Sequence, residues 1–177
     1  MPFCSGSQVR LSGLVKTREV SRQLDWMANQ GLEVAGAKFS PCRRYRYTLY
    51  RRWGSGRPVA FVLLNPSTAD EFTNDPTVER CERRARRLGF DGLIVVNLFA
   101  WRSTDPAQLY EADDPVGPEN DAHILSACCE AGMVVCGWGK HGLHQGRGAS
   151  VHALLRAARI TPNALQINDD GSPRHPL

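Results

Sequence analysis

No apolar run in the chain approaches the roughly 18–20 residues of a membrane-spanning helix, which removes that class of protein. The first residues, Met1-Pro-Phe-Cys-Ser-Gly-Ser7, lack a basic segment followed by an apolar one. No secretory signal is therefore expected, and the chain is expected to be cytoplasmic, without a membrane partner. Its six cysteines (Cys4, Cys42, Cys81, Cys128, Cys129 and Cys136) contain no Cys-x-x-Cys and keep no regular spacing. That argues against a zinc ribbon or an iron–sulfur site. Cys136 falls in an apolar run and Cys81 on a helix face, so buried free thiols are expected there. His141 and His144 alone do not make a metal site. The glycines fit neither the Walker nor the dinucleotide fingerprint. Nothing in the pattern calls for a metal or a cofactor.

What is present is an ordinary globular composition with an uneven charge. The chain has 177 residues, 42% hydrophobic and 23% charged, which suits one domain with a proper core. Its net charge of +4 hides an asymmetry: residues 1–58 hold 11 Lys and Arg against 3 Asp and Glu, and the remainder holds 11 against 15. A basic front on a nearly neutral body suits a polyanionic partner, although it also serves solubility alone.

Val59-Ala-Phe-Val-Leu-Leu64 organises the rest. Its apolar residues do not alternate with polar ones, as in a strand buried on both faces. Asn65-Pro66 then stops it, because proline supplies no N–H and holds the preceding residue extended. Ser67, Thr68 and Asp70 follow as a polar turn. Before this strand, residues 1–40 read as an N-terminal extension with one short helix around Val20, Leu24 and Met27. Residues 41–177 read as a single α/β domain. Within it, Cys42–Trp53 alternates as a strand with a basic face that includes Arg44 and Arg46. The turn cluster Gly54–Pro58 predicts that it pairs antiparallel with Val59–Leu64 as a hairpin.

Asp75 and Pro76 open a helix whose buried stripe is Val78, Cys81, Ala85 and Leu88. Five arginines crowd its other positions: Arg80, Arg83, Arg84, Arg86 and Arg87. Leu93–Phe99 is a second buried strand carrying one polar residue, Asn97, which must be hydrogen-bonded to structure or to a ligand. A long connection, a helix over 119–131 and a third strand over 133–138 follow. Gly139–Gly148 is a glycine-rich loop that could cradle phosphate. A helix over 149–159, a short strand over 164–168 and a terminal loop complete the chain. Arg46, Lys140, Arg147 and Arg174 are the candidate nucleic-acid contacts.

This alternation predicts a three-layer α/β/α sandwich with a short, mostly parallel central sheet and an antiparallel N-terminal edge strand. Strands end at Asn65 and Asn97, and His175 lies just beyond the last one. Parallel strands would bring all three to one edge, where open α/β folds bind ligands.

From residue 43 onward the chain resembles the bacterial family known as domain of unknown function 1643. The residues that carry this are Leu64-Asn-Pro-Ser-Thr-Ala-Asp70, Asn74-Asp-Pro76, Val96-Asn-Leu-Phe-Ala-Trp-Arg102, Trp138-Gly-Lys140 and Gly171-Ser-Pro-Arg-His-Pro176. More distantly, the layout is similar to the uracil-DNA glycosylase superfamily. There a strand ends in a water-activating Asp-Pro or Asn-Pro, which Asn65-Pro66 matches. A later strand ends in a base-reading Asn, the place of Asn97. A strand followed by Trp-Gly resembles Val134–Gly139, and a final His-Pro resembles His175-Pro176.

The resemblance implies hydrolysis of the N-glycosidic bond of a damaged or modified base. Asn65 would orient the water, and slowly, since an amide cannot take its proton as a carboxylate can. His175 would stabilise the departing base, Asn97 would read its edge, Phe72 would stack on it, and Pro66 and Ser67 would shape the pocket. The superfamily's last motif continues into a wedge loop, whereas this chain ends at Leu177. A single strand, a nucleotide or a modified nucleoside therefore stays open as the substrate. Each residue also has a structural role open to it: a turn amide for Asn65, a satisfied core amide for Asn97, a loose terminus for His175. A non-catalytic nucleic-acid or nucleotide binding module is the main rival. A hydrolase or transferase using phosphate at Gly139–Gly148 is a third reading.

Overall fold

The computed structural model describes Gln30, residues 32–105 and residues 107–177; the helix expected around Val20–Met27 lies outside them. The uninterrupted apolar run forms β3 (Val59–Leu63), buried at all five positions. Strands β1 (Val34–Phe39), β2 (Arg46–Arg52), β4 (Gly92–Asn97), β5 (Met133–Gly137) and β6 (Pro162–Ala164) complete one sheet in the order β1-β2-β4-β3-β5-β6. The β4/β3, β3/β5 and β5/β6 pairs are parallel, and the β1/β2 and β2/β4 pairs antiparallel. The chain is therefore a mixed α/β protein with a mostly parallel sheet and an antiparallel edge.

Helices cover both faces, and strand alternation decides which residues meet them. On one side Phe61, Leu63, Leu93 and Val95 pack on Val78, Cys81 and Ala85 of α1 (Pro76–Arg87). On the other, Val62, Val96 and Cys136 pack on α2 (Ala107–Glu111), α3 (Asn120–Glu130) and α4 (Arg147–Ala157). Helix α1 starts as its sequence requires: Asp75 caps it by accepting from the Val78 N–H at 2.8 Å, with Pro76 following. Burial pushes the Cys81, Cys128 and Cys136 thiols up to about 12, as expected of inert core cysteines.

Two expectations fail. The hairpin between β2 and β3 does not form, because β4 and β5 occupy both edges of β3. The Gly54–Pro58 turn instead carries the chain past β4, held there by Asp91: its carbonyl accepts from Trp53 and Gly54, and its carboxylate from Gly56. The sheet also begins at Val34, inside the stretch read as an extension. Gly36 and the flanking alanines gave β1 no apolar alternation to read.

The basic face of β2 does not form either. Pairing with β1 slips between Lys38 and Phe39, which face Thr48 and Arg46 and leave Tyr47 as an extra residue. Such a bulge re-aims side chains. Tyr47 stacks on His123 of α3 at 4.9 Å between ring centres. Arg46 turns inward, only 2% exposed, and donates to the carbonyl of Ala69 at 2.8 Å. Arg51, also buried, donates to the carbonyls of Asp70 (2.8 Å) and Thr73 (3.4 Å) and to Asn74 Oδ1 (3.0 Å). Two arginines of β2 thus fasten the polar turn that follows β3.

Replacing Arg51 by Met keeps its volume but leaves the Asp70 carbonyl and Asn74 Oδ1 without that donor, while the Thr73 carbonyl still accepts the Asp70 N–H. We expect unfolding free energy to fall by about 1–3 kcal/mol in urea titration. Amide hydrogen exchange should quicken across residues 69–75 while the β3 and β5 amides stay protected.

Candidate functional site at the carboxyl edge of the sheet

At the end of β3, Leu63 stands opposite Asn97 of β4 on one side and Gly137 of β5 on the other. All three belong to the pleat that faces α1. Pairing continues past the strands, with the Leu98 N–H donating to Leu63 and the Phe99 N–H to Leu64. The C-terminal segment crosses this row. A side chain on Gly137 would stand 3.2 Å from the Arg174 carbonyl and from Pro176 Cδ, so a larger residue would push the segment outward by a few tenths of an ångström. Three hydrogen bonds hold it: Gly139 N–H to Pro173, Arg174 N–H to Gln166, and the Arg84 guanidinium to Pro176, at 2.8, 2.8 and 3.0 Å. His175 is thereby fixed at the same edge and face as Asn97, and Asn65 follows β3 at that edge with its amide turned to the Ser103 loop. Adjacent strands lie about 4.8 Å apart, so the three residues span the width of three strands.

Each polar group has a defined state. The Asn65 Nδ2 donates to the carbonyls of Pro66 (3.1 Å) and Ser103 (2.8 Å). Two acceptors leave no choice of amide orientation, and no described residue donates to the Asn65 Oδ1. Asn97, 1% exposed, accepts weakly at Oδ1 from Arg46 at 3.4 Å, which leaves its Nδ2 as the free donor among the described residues. Its carbonyl accepts from Asn120 at 2.9 Å. His175 is half-buried, and burial holds its imidazole below the ordinary histidine value, opposed by the Asp75 carboxylate. The Leu177 N–H donates to Nδ1 at 3.3 Å, so the neutral ring carries its proton on Nε2. Burial also draws the Arg46 guanidinium down to about 10, again with Asp75 opposing. Asp75 therefore acts on both sides of the edge.

The other expected residues divide. Pro66 is buried and its carbonyl accepts from the Ser103 N–H; Ser67 beside it is half-buried. Phe72 is 89% exposed, at the tip of a turn closed by Asp70, whose carboxylate accepts the Phe72 and Thr73 N–H groups at 2.8 Å. Lys140 and Arg174 are exposed, Arg174 bonding Gln166 Oε1 at 2.9 Å. Arg46 and Arg147 are not surface contacts for nucleic acid. Arg46 is buried under the turn, and Arg147 donates to the Leu98 carbonyl at 2.9 Å and pairs with Asp121. The glycine-rich stretch is not an open cradle: Lys140–Gly146 forms 3₁₀ turns, and α4 begins at Arg147.

Sequence reasoning missed several groups. Asp75 read only as a helix cap, and Arg84 only as one of five surface arginines. A basic, aromatic rim also went unread. Arg43 lies over the Phe39 ring at 4.1 Å and meets Glu71 at 3.3 Å, Arg102 lies over the same ring at 4.9 Å, and Arg44 over Trp101 at 5.7 Å. The neighbouring Cys42 thiol is lowered to about 7 by hydrogen bonds from Ser40 and Arg44. Only the run Arg43-Arg44 beside aromatic residues signalled this in the sequence.

The architecture defines a mixed α/β protein with a polar carboxyl edge, of the kind at which such sheets bind ligands. Residues 46–177 match the model of the family described as Protein of unknown function (DUF1643), and the chain belongs to that family. No curated protein and no solved structure matches it.

The buried imidazoles give a pH prediction. His175 has its folded value lowered, and so does His123, through burial and then the nearby Lys38. As pH falls below about 6.5 the unfolded chain takes up these protons first. Stability is full above that value and declines as pH drops through it. Urea titrations between pH 7.5 and 5 should show this decline, with a shallower slope in His175→Gln.

Proposed function

We propose that the carboxyl edge recognises a nucleobase and hydrolyses its N-glycosidic bond, as the resemblance to the uracil-DNA glycosylase superfamily and its α/β/α fold implies. The observation that carries this reading is the arrival of Asn65, Asn97 and His175, distant in sequence, at one end of the sheet, with Asn97 and His175 on the face toward α1.

Three chemical needs are met there. Both protons of the Asn65 amide are engaged, so its Oδ1 is a fixed acceptor that aims a water at the sugar carbon. The neutral His175 presents Nε2–H to an oxygen of the departing base and stabilises the charge that develops on it. Asn97, held by Arg46, offers Nδ2–H to an acceptor on the base edge. Phe72 supplies an exposed ring for stacking, and Pro66 and Ser67 belong to the turn that follows β3. Arg43, Arg44 and Arg102 are placed to meet the phosphates of a strand, a role that also suits the exposed Lys140 and Arg174. No helix among the described residues is long and apolar enough to cross a membrane.

A second reading has its own support. The Asn65 bonds to Pro66 and Ser103 also tie two loops together, which is all a binding module needs of that residue.

Base release from oligonucleotides carrying damaged or modified bases separates the two. For a hydrolase, Asn65→Ala lowers the release rate about 100-fold or more, and Asn65→Asp, which can take the water's proton, raises it above the parent. His175→Ala costs about as much. Strand binding without release, unchanged by Asn65→Ala, identifies a binding module instead.

A further inference from the structure

A cavity of about 510 Å³ opens on the far side of β5, bounded by Trp138, Leu143, His152, Ala164, Ile167 and Pro173. Its volume is in the range of small-molecule sites. Cys136 and Trp138 line it from the pleat opposite to that of Gly137, and none of Asn65, Asn97, Asp75 or His175 takes part.

Its polar groups are mostly engaged already. Asn163 donates to the Val134 carbonyl at 3.1 Å. Asp170 Oδ1 accepts from Ser172 N–H and Oγ at 2.9 and 2.6 Å, with the Lys140 charge nearby. Two rings are exceptions among the described residues, the exposed His152 imidazole and the Trp138 indole. The Trp138 side chain is wedged between Gly142 and Gly148, where a Cβ on either would stand 2.6 and 3.0 Å from Nε1. The residue is only 7% exposed, yet its indole N–H has no acceptor among the described residues and is not sealed from open space. Buried tryptophans normally bond that proton. Here Trp138 lines the cavity with that donor unbonded.

We propose that this cavity is a binding site for an uncharged aromatic heterocycle whose ring nitrogen or carbonyl oxygen accepts the Trp138 N–H. The mainly apolar wall, two prolines and an indole among it, favours a ring. The Asp170 carboxylate at the wall repels an anion, and the mainly apolar lining is a poor place to desolvate a cation, so a neutral ligand fits. The site is independent of any activity at the carboxyl edge.

Quinoline and naphthalene share one shape and differ by a single acceptor nitrogen, which makes them the probes. The readout is the ¹H–¹⁵N resonance of the Trp138 indole, assigned by its loss in Trp138→Phe. Quinoline should shift that resonance saturably and bind at least about fivefold more tightly than naphthalene at matched concentrations. Ala164→Leu on β6 and Ala149→Leu on the exposed start of α4, each filling the cavity from a different wall, should both weaken quinoline binding at least tenfold. An indole resonance unmoved by quinoline overturns the proposal. So does equal binding of the two probes, or quinoline binding indifferent to a folded cavity-filling variant.

Discussion

The carboxyl edge depends on two guanidinium groups lying under a turn. Residues 65–75 leave β3 with backbone carbonyls that no strand or helix can pair, and Arg46 and Arg51 pair them at Ala69, Asp70 and Thr73. A buried cation is costly unless its hydrogen bonds and counter-charges are in place. Here Asp75 supplies opposite charge to Arg46, and the planar fork of Arg51 meets several acceptors at once. Arg46 reaches further, to the Asn97 amide, and so links the turn after β3 to the end of β4. Without these bonds residues 69–74 would be an ordinary surface loop.

The second constraint comes from the opposite end of the chain. The terminal segment makes an isolated antiparallel bridge between Pro173 and Ile167, and it is held at Pro173, Arg174 and Pro176 by Gly139, Gln166 and Arg84 of α1. Gly137 favours this close approach, because a Cβ there would press on the Arg174 carbonyl and Pro176 at 3.2 Å. The half-burial that keeps His175 neutral follows from the same contacts. A neutral imidazole with Nδ1 accepting can do one thing well, which is to donate from Nε2.

How much of this the sequence carried depends on whether the signal was local. Strands β3, β4 and β5 were legible because burial on both faces leaves nothing but apolar residues. The Asp75-Pro76 start of α1 was legible because a cap is a contact between neighbours. The β2–β3 hairpin was misread because Gly54–Pro58 looks the same whether the chain turns back or passes over a strand. Arg46 was misread because a bulge of one residue reverses every assignment beyond it, and nothing in Tyr45–Tyr47 announces the slip. Asp75 and Arg84 were seen only in their local roles. Their second roles depend on a segment about a hundred residues away, and no window along the chain contains both.

The sheet itself separates two chemistries that begin one residue apart. At the end of β5, Gly137 and Gly139 serve the α1 side, where they admit and bond the terminal segment. Trp138 between them projects to the other side, into an apolar cavity with its N–H unpaired. Period-two alternation produces this division with no further device. The two sides nevertheless share a strut. Pro173 forms part of the cavity wall, its carbonyl accepts the Gly139 N–H, and His175 follows two residues later. The Trp-Gly after β5 and the His-Pro at the end of the chain are two halves of that one contact.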